Sequence, residues 1–468
     1  MVYQATVGGE SFRFPSLADL MAKANEEKAG DQLAGVAAIS HRQRIAAKRA
    51  LADCSLQDFL SNPLIDPELD EVSRRLLEDY DPIIFEEFQS WTVGELRDQL
   101  LAASPDDLSR WGWGLLPEMA AAVAKLLTNQ QLIVLASRIH RISRMRNTQG
   151  LPGTLGIRIQ PNHPSDDLRG ILASTIEGLL YGCGDAVIGV NPATDSVAQV
   201  SAILRMLDQL IQRAEIPTQH CCLAHITTQL QALETGCPID LLFQSIAGSQ
   251  KANDSFGITL QLLHEGRQQV IESHRSRDRR LEGAQVMYFE TGQGSALSAN
   301  AHHGIDQLTM EARAYGVARL FDPFLVNSVV GFIGPEYLFD ERQIVRAGLE
   351  DHFLGKLLGL PMGVDVCYTN HCDADQNSAD NLMVLLAAAG CNYFMGVPGT
   401  DDIMLNYQST SYHDAVAVRK LFQRQPAPEF QKWLEERQID ASGGWETIEK
   451  LRQIERLIAC CPMIHSNT

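Results

Sequence analysis

Thr154-Leu155-Gly156-Ile157-Arg158-Ile159-Gln160 and Asp185-Ala186-Val187-Ile188-Gly189-Val190-Asn191 decide the fold. Each is a short, nearly continuous apolar run rich in β-formers, and each ends on polar residues. Strands buried on both faces read this way, whereas half-solvated strands alternate. Six similar runs follow at His220–Thr227, Ile239–Ser245, Ala284–Glu290, Val326–Ile333, Gly363–Tyr368 and Cys391–Val397. Helical stripes lie between them. Leu168, Ile171, Leu172, Thr175, Ile176 and Leu179 share one face, with Ser165 as the expected cap. Val197, Val200, Ile203, Leu204, Leu207, Leu210 and Ile211 repeat the pattern after Thr194 and Asp195. Mixed or helical segments fill 248–272, 305–320, 341–357 and 379–389.

Strand–helix alternation implies a parallel sheet with right-handed crossovers. Eight repeats over about 250 residues fit an α/β fold of the (β/α)8 TIM-barrel type, with a doubly wound open sheet as the alternative. Outside the barrel, expected over residues 151–400, the pattern changes. Residues 1–150 read as an N-terminal mainly helical domain, in which Ser16 can cap a helix from Leu17. Residues 401–468 read as a C-terminal helical extension.

The chain has 468 residues, with 39 basic against 58 acidic side chains and a formal charge of −19. A nucleic-acid surface needs concentrated Lys and Arg, so no nucleic-acid partner is expected, and an anionic membrane is disfavoured for the same reason. Ten cysteines are scattered without a Cys-x-x-Cys pair. Zinc ribbons are therefore absent, and reduced thiols in a cytoplasmic chain are expected. The start, Met1-Val2-Tyr3-Gln4-Ala5, lacks the basic and apolar regions of a signal peptide. No run approaches a membrane span.

Barrels carry their chemistry at the carboxyl ends of the strands. Alternation puts Arg158 and Gln160 on one face of the first run. The second ends on Asn191, the fourth on Ser245 and the fifth on Glu290, and the seventh contains Asp365. One fixed cation, two carboxylates and two amides inside such apolar runs need partners, and a bound ammonium would balance the charge. The alternative is a structural Arg–Glu–Asp network. No metal site is expected. The segment His371-Cys372-Asp373-Ala374-Asp375 offers ligand types, but Asp375 or Asn377 can simply cap the next helix. Glu350-x-His352-x-x-Gly355 lies in a helical pattern and lacks the first residue of a histidine-on cobalamin motif.

Longer stretches then narrow the reading. They include Gly30-Asp31-Gln32-Leu33-Ala34-Gly35, Gly184-Asp185-Ala186-Val187-Ile188-Gly189-Val190-Asn191-Pro192 and Tyr288-Phe289-Glu290-Thr291-Gly292-Gln293-Gly294-Ser295. Val330-Gly331-Phe332-Ile333-Gly334-Pro335-Glu336, Asp373-Ala374-Asp375-Gln376-Asn377 and Asp401-Asp402-Ile403-Met404-Leu405-Asn406-Tyr407-Gln408 extend the set. In these stretches the chain resembles the large (heavy) subunits of ethanolamine ammonia-lyase. The resemblance fades after about Gly443 and is looser around 273–283. It implies a (β/α)8 barrel and adenosylcobalamin-dependent radical deamination of ethanolamine to acetaldehyde and ammonia. It also implies a small-subunit partner and a higher hetero-oligomer, in many members inside a bacterial microcompartment. By resemblance, Gln160, Glu290 and Asp365 hold the amino group, and Arg158, Asn191 and Glu290 surround the hydroxyl. Phe332, Met395 and Leu405 match apolar wall positions. Asn191 and Ser245 match positions near the cofactor. Competing readings are a lyase or aldolase of another kind, which needs a Schiff-base Lys or a metal triad, and an inactive assembly subunit.

Overall fold

A computed structural model describes residues 2–278, 281, 283–330, 338–369, 371–402, 407–439 and 456. Eight strands form the central sheet. They are β1 (Gly156–Ile159), β2 (Val187–Val190), β3 (His220–Cys222), β4 (Leu242–Ser245), β5 (Met287–Thr291), β6 (Leu325–Val329), β7 (Met362–Asp365) and β8 (Tyr393–Gly396). Their order is β3-β2-β1-β8-β7-β6-β5-β4, and the paired neighbours are parallel. The Leu241 N–H donates to the His220 carbonyl at 3.3 Å across the remaining gap between β3 and β4. This is the expected TIM-type barrel.

Each strand is followed by a helix: α1 (Leu168–Leu180), α2 (Val197–Ala214), α3 (Ile226–Glu234), α4 (Leu260–Arg277), α5 (Gln307–Arg319), α6 (Glu341–Leu357), α7 (Gln376–Ala388) and α8 (Tyr412–Leu421). Their caps differ in part from expectation. Asp167, not Ser165, caps α1 by accepting from the Arg169 N–H. Ser196, not Thr194 or Asp195, caps α2. In both cases the capping residue directly precedes the first helical residue, where its side-chain oxygen reaches the free N–H groups of the first turn. The third run was read too long: β3 stops at Cys222, and Thr227 already lies in α3, capped by His225. The last part of the sixth run, including Ile333, lies outside the described residues.

Residues 2–137 carry mostly short helices, with Ser16 capping Leu17–Ala24 as expected. They also contain an unforeseen antiparallel hairpin, Tyr3–Val7 with Glu10–Phe14. Its two-residue turn, Gly8-Gly9, has φ of 59° and 83°, the conformation that matches strand twist and that glycine adopts freely. One apolar core runs continuously from Phe14 and Leu20 through Ala120 and Val123 to Ile157 and Val364. Buried ion pairs fix how the helices seat on the barrel: Lys28–Glu350 at 2.8 Å, Lys125–Asp306 at 2.6 Å, and Arg313 with Glu118. At the other end of the chain, α8 packs on β8, and Trp433 donates its indole N–H to the Ala214 carbonyl at 3.0 Å.

Ala186, Val187, Cys221, Leu241, Phe243, Tyr288, Leu325 and Tyr393 form an apolar plug. Gly363 of β7 leaves room for the ring of Tyr393: a Cβ there would stand 2.1 Å from the ring Cζ. Asp365 is the next inward position above it. Gly363→Ala is therefore expected to destabilise the protein by about 1–3 kcal/mol through overpacking, measured by chemical denaturation. An unchanged midpoint would show that the plug does not fix the floor beneath Asp365.

Candidate active site

Register determines which side chains meet above the plug. Glu290 of β5 pairs with Asn327 of β6 and with Ser245 of β4, so all three point inward. Arg158 of β1 faces the same space because Gly189 of β2 has no side chain. A Cβ at Gly189 would lie 3.0 Å from Arg158 Nε.

Arg158 is the centre of the cluster. Its Nη1 donates to Glu290 Oε1 at 2.5 Å and to the Tyr288 hydroxyl at 2.5 Å, and its Nη2 donates to Gln160 Oε1. Tyr288 also donates to Glu290 at 2.7 Å, and Asn327 Nδ2 does so at 3.1 Å. Gln160 Nε2 continues the network to Asp402 at 2.8 Å and to the Tyr407 hydroxyl at 3.0 Å. Tyr407 donates to Asp365 Oδ2 at 3.2 Å, and Ser409 donates to Oδ1 at 3.0 Å. Arg158, Gln160, Glu290 and Asp365 thus form one connected set. Arg158 is 1% exposed and Glu290 15%, so Glu290 is the more open face of the pair.

Burial opposes a charge on Arg158, but Tyr288, Glu290, Tyr407 and Asp365 outweigh it and hold the guanidinium protonated. Asp365 behaves differently. Burial raises its carboxyl to about 7, and Glu290 adds to the rise, against the opposing pull of Arg158 and the bonds from Ser409 and Tyr407. One arginine therefore faces more acid than it neutralises.

Asn191, directly after β2, is half-buried, and its backbone N–H donates to Asn162 Oδ1 at 2.8 Å. Ser245 is also half-buried, with its carbonyl accepting from Gln244 at 3.1 Å. Neither side chain has a hydrogen-bond partner among the described residues. Two neutral hydrogen-bonding groups at these strand ends can donate to or accept from a polar ligand. Met395 is buried with Val329, Cys367, Val397 and Tyr407 as an apolar wall. Phe332 and Leu405 lie outside the described residues.

Other motifs resolve as scaffolding. Asp375 caps α7, accepting from the Ser378 N–H at 3.2 Å. His352 is fully buried within α6. Asp208, His220 and Asp240 converge at the opposite end of the barrel, but Arg146 and Arg277 already bind Asp240.

Sequence reasoning missed Tyr288, Asn327, Asp402, Tyr407 and Ser409. Tyr288 carried a usable signal, since it lies two residues before Glu290 and so shares its face. Asn327 needed the register. Asp402, Tyr407 and Ser409 come from the segment after β8, whose path no periodicity describes.

A (β/α)8 barrel with a sealed, acid-rich polar cluster at the carboxyl ends of its strands has the build of an enzyme for small polar substrates. The family model described as "Ethanolamine ammonia lyase large subunit (EutB)" matches residues 12–447. The ethanolamine ammonia-lyase large subunit of Escherichia coli (strain K12) is 50% identical over 445 residues, covering 95% of this chain and 97% of that protein. That of Salmonella typhimurium (strain LT2) is likewise 50% identical over 445 residues, with the same coverage. The chain belongs to the ethanolamine ammonia-lyase large-subunit family.

The two donors to Asp365 favour its ionised form, so losing one must raise its midpoint further. In Tyr407→Phe, the carboxyl resonance of Asp365 is expected to titrate above the value of about 7 held in the parent protein. It can be followed by carbon-13 NMR and assigned by its loss in Asp365→Asn. A midpoint near 4 in both proteins would contradict the geometry.

Proposed function

We propose that the chain is the large, catalytic subunit of an ethanolamine ammonia-lyase, deaminating ethanolamine to acetaldehyde and ammonia with adenosylcobalamin and a small-subunit partner. The observation that carries this reading is the charge of the buried cluster. Arg158 is one cation among Glu290, Asp365 and Asp402, and a protonated amino alcohol supplies the missing positive charge.

The hydrogen on a carbinol carbon is not acidic, so carboxylates alone cannot remove it. Adenosylcobalamin, when bound, supplies the carbon radical able to take it. Asn191 and Ser245 are the residues to hold its adenosyl side. Everything else falls to this chain. Gln160, Glu290 and Asp365 hold the ammonium, and Arg158, Asn191 and Glu290 surround the hydroxyl. The Arg158 fork, fixed by Glu290, Tyr288 and Gln160, points a permanent cation at the oxygen on which negative charge develops. Glu290, the more exposed acid, exchanges protons with either substrate group. Met395, with Phe332 and Leu405, walls off water and limits side reactions. Tyr407 and Ser409 orient Asp365.

On this reading the chain works in a higher hetero-oligomer, in the cytoplasm or within a bacterial microcompartment. No helix among the described residues is long and apolar enough to cross a membrane. A Schiff-base aldolase is disfavoured because no lysine stands on any of the eight described strands.

Reconstitution with adenosylcobalamin, ethanolamine and a cognate small subunit is expected to yield acetaldehyde. Glu290→Gln and Asp365→Asn should each lower turnover by about 10²-fold or more while the melting transition stays cooperative. Arg158→Lys should lower it comparably, because a point charge cannot reproduce a planar fork. Near-parental acetaldehyde production by all three variants would remove the assigned roles.

A further inference from the structure

The amino-terminal face of the barrel, opposite the acidic cluster, carries a polar cavity of about 50 Å3. Its wall includes Thr154 and Asn392, which stand just before β1 and β8. Three basic side chains from separate parts of the chain line it: Lys356 near the end of α6, Arg424 after α8, and His140 ahead of β1. Lys356 is 1% exposed. Its Nζ donates to the Gly390 carbonyl at 2.7 Å, and no carboxylate among the described residues lies within ion-pair distance of it. Arg424 is half-buried, and its guanidinium has no ion pair or hydrogen bond among the described residues. Arg141, which bonds the Lys356 carbonyl at 3.0 Å, adds a further guanidinium without a carboxylate partner among the described residues.

Such an arrangement is unexpected in a chain of charge −19. Buried cations are normally paired, because an uncompensated charge is expensive in a poorly solvated site. The bond from Lys356 to Gly390 explains part of it, since a cation at the carboxyl end of α7 satisfies a terminal carbonyl. It uses one of three ammonium donors and leaves the convergence of Arg424 and His140 unexplained. Burial pushes Lys356 down to about 7, with smaller contributions from Arg141 and Arg424. Neither the family assignment nor the deamination chemistry uses any of these residues.

We propose that this cavity is an anion-binding site for a small phosphate monoester, held by Lys356, Arg424 and His140. A dianion matches the Arg424 guanidinium, a Lys356 amine that the anion would itself hold protonated, and a histidine donor, and the tetrahedral phosphate accepts from three directions at once. The cavity is of the size of the phosphate group itself, and Thr154 and Asn392 on its wall are the polar residues that the alcohol portion of an ester would meet.

The test uses the full-length chain with inorganic phosphate and glycerol 3-phosphate as probes, against chloride at matched ionic strength, by calorimetry and thermal unfolding. Both phosphates are expected to bind saturably and raise the melting temperature above the chloride control, the ester at least as tightly as the inorganic ion. Arg424→Gln removes a side chain that makes no bond of its own, so the variant should fold as the parent does. Its phosphate affinity should fall about tenfold, the loss of one charge-assisted contact. Lys356→Met should abolish binding. Phosphate acting no differently from chloride, or binding unchanged in Arg424→Gln, would overturn the site. Binding of inorganic phosphate without the ester would overturn the ligand class.

Discussion

A guanidinium buried at the mouth of a barrel is the constraint to which the rest of the site is fitted. Arg158 has nowhere to shed its charge, so the fold must surround it with acceptors. Tyr288 and Glu290 of β5, and Gln160 directly after Arg158's own strand, do so directly. The absence of a side chain at Gly189 lets the arginine stem lie against β2. Asn327 then bonds the same carboxylate oxygen of Glu290 that Arg158 uses. The strand register, not any local motif, brings these groups within reach of one another.

The same constraint explains why the two acids differ. Glu290 touches Arg158 directly and stays partly open. Asp365 is reached only through Tyr407 and Gln160, and burial dominates its titration. A site in which burial poises the Asp365 carboxyl near neutrality can accept a cation and adjust its protons as it does so. That is a useful property for chemistry in which an amine leaves as ammonia.

Much of this was legible in the chain. Runs buried on both faces, with helical stripes between them, specify a parallel barrel, and its strand ends name Arg158, Gln160, Asn191, Ser245, Glu290 and Asp365. The polar partners were less visible. Tyr288 passes for a core aromatic inside its run, and Asn327 becomes meaningful only once β6 is aligned with β5. Tyr407 and Ser409 reach Asp365 from a segment after β8, a path set by tertiary packing. The amino-terminal hairpin was missed for another reason. Gly8-Gly9 is a strong turn signal, but its flanking strands are short and polar enough to disappear beside the helical stripe that follows.

In the proposed reaction the cluster receives a protonated amino alcohol against Asp365. An ammonium beside that carboxyl favours its ionised form and expels its proton. Calorimetric titration of the complex with its small subunit, with hydroxocobalamin in place of the adenosyl form, measures this when run in buffers of different ionisation enthalpy. With the free carboxyl raised to about 7, ethanolamine binding near pH 7 should release protons, and Asp365→Asn should lose that release. Binding without proton release, or the same release from the variant, would contradict the account.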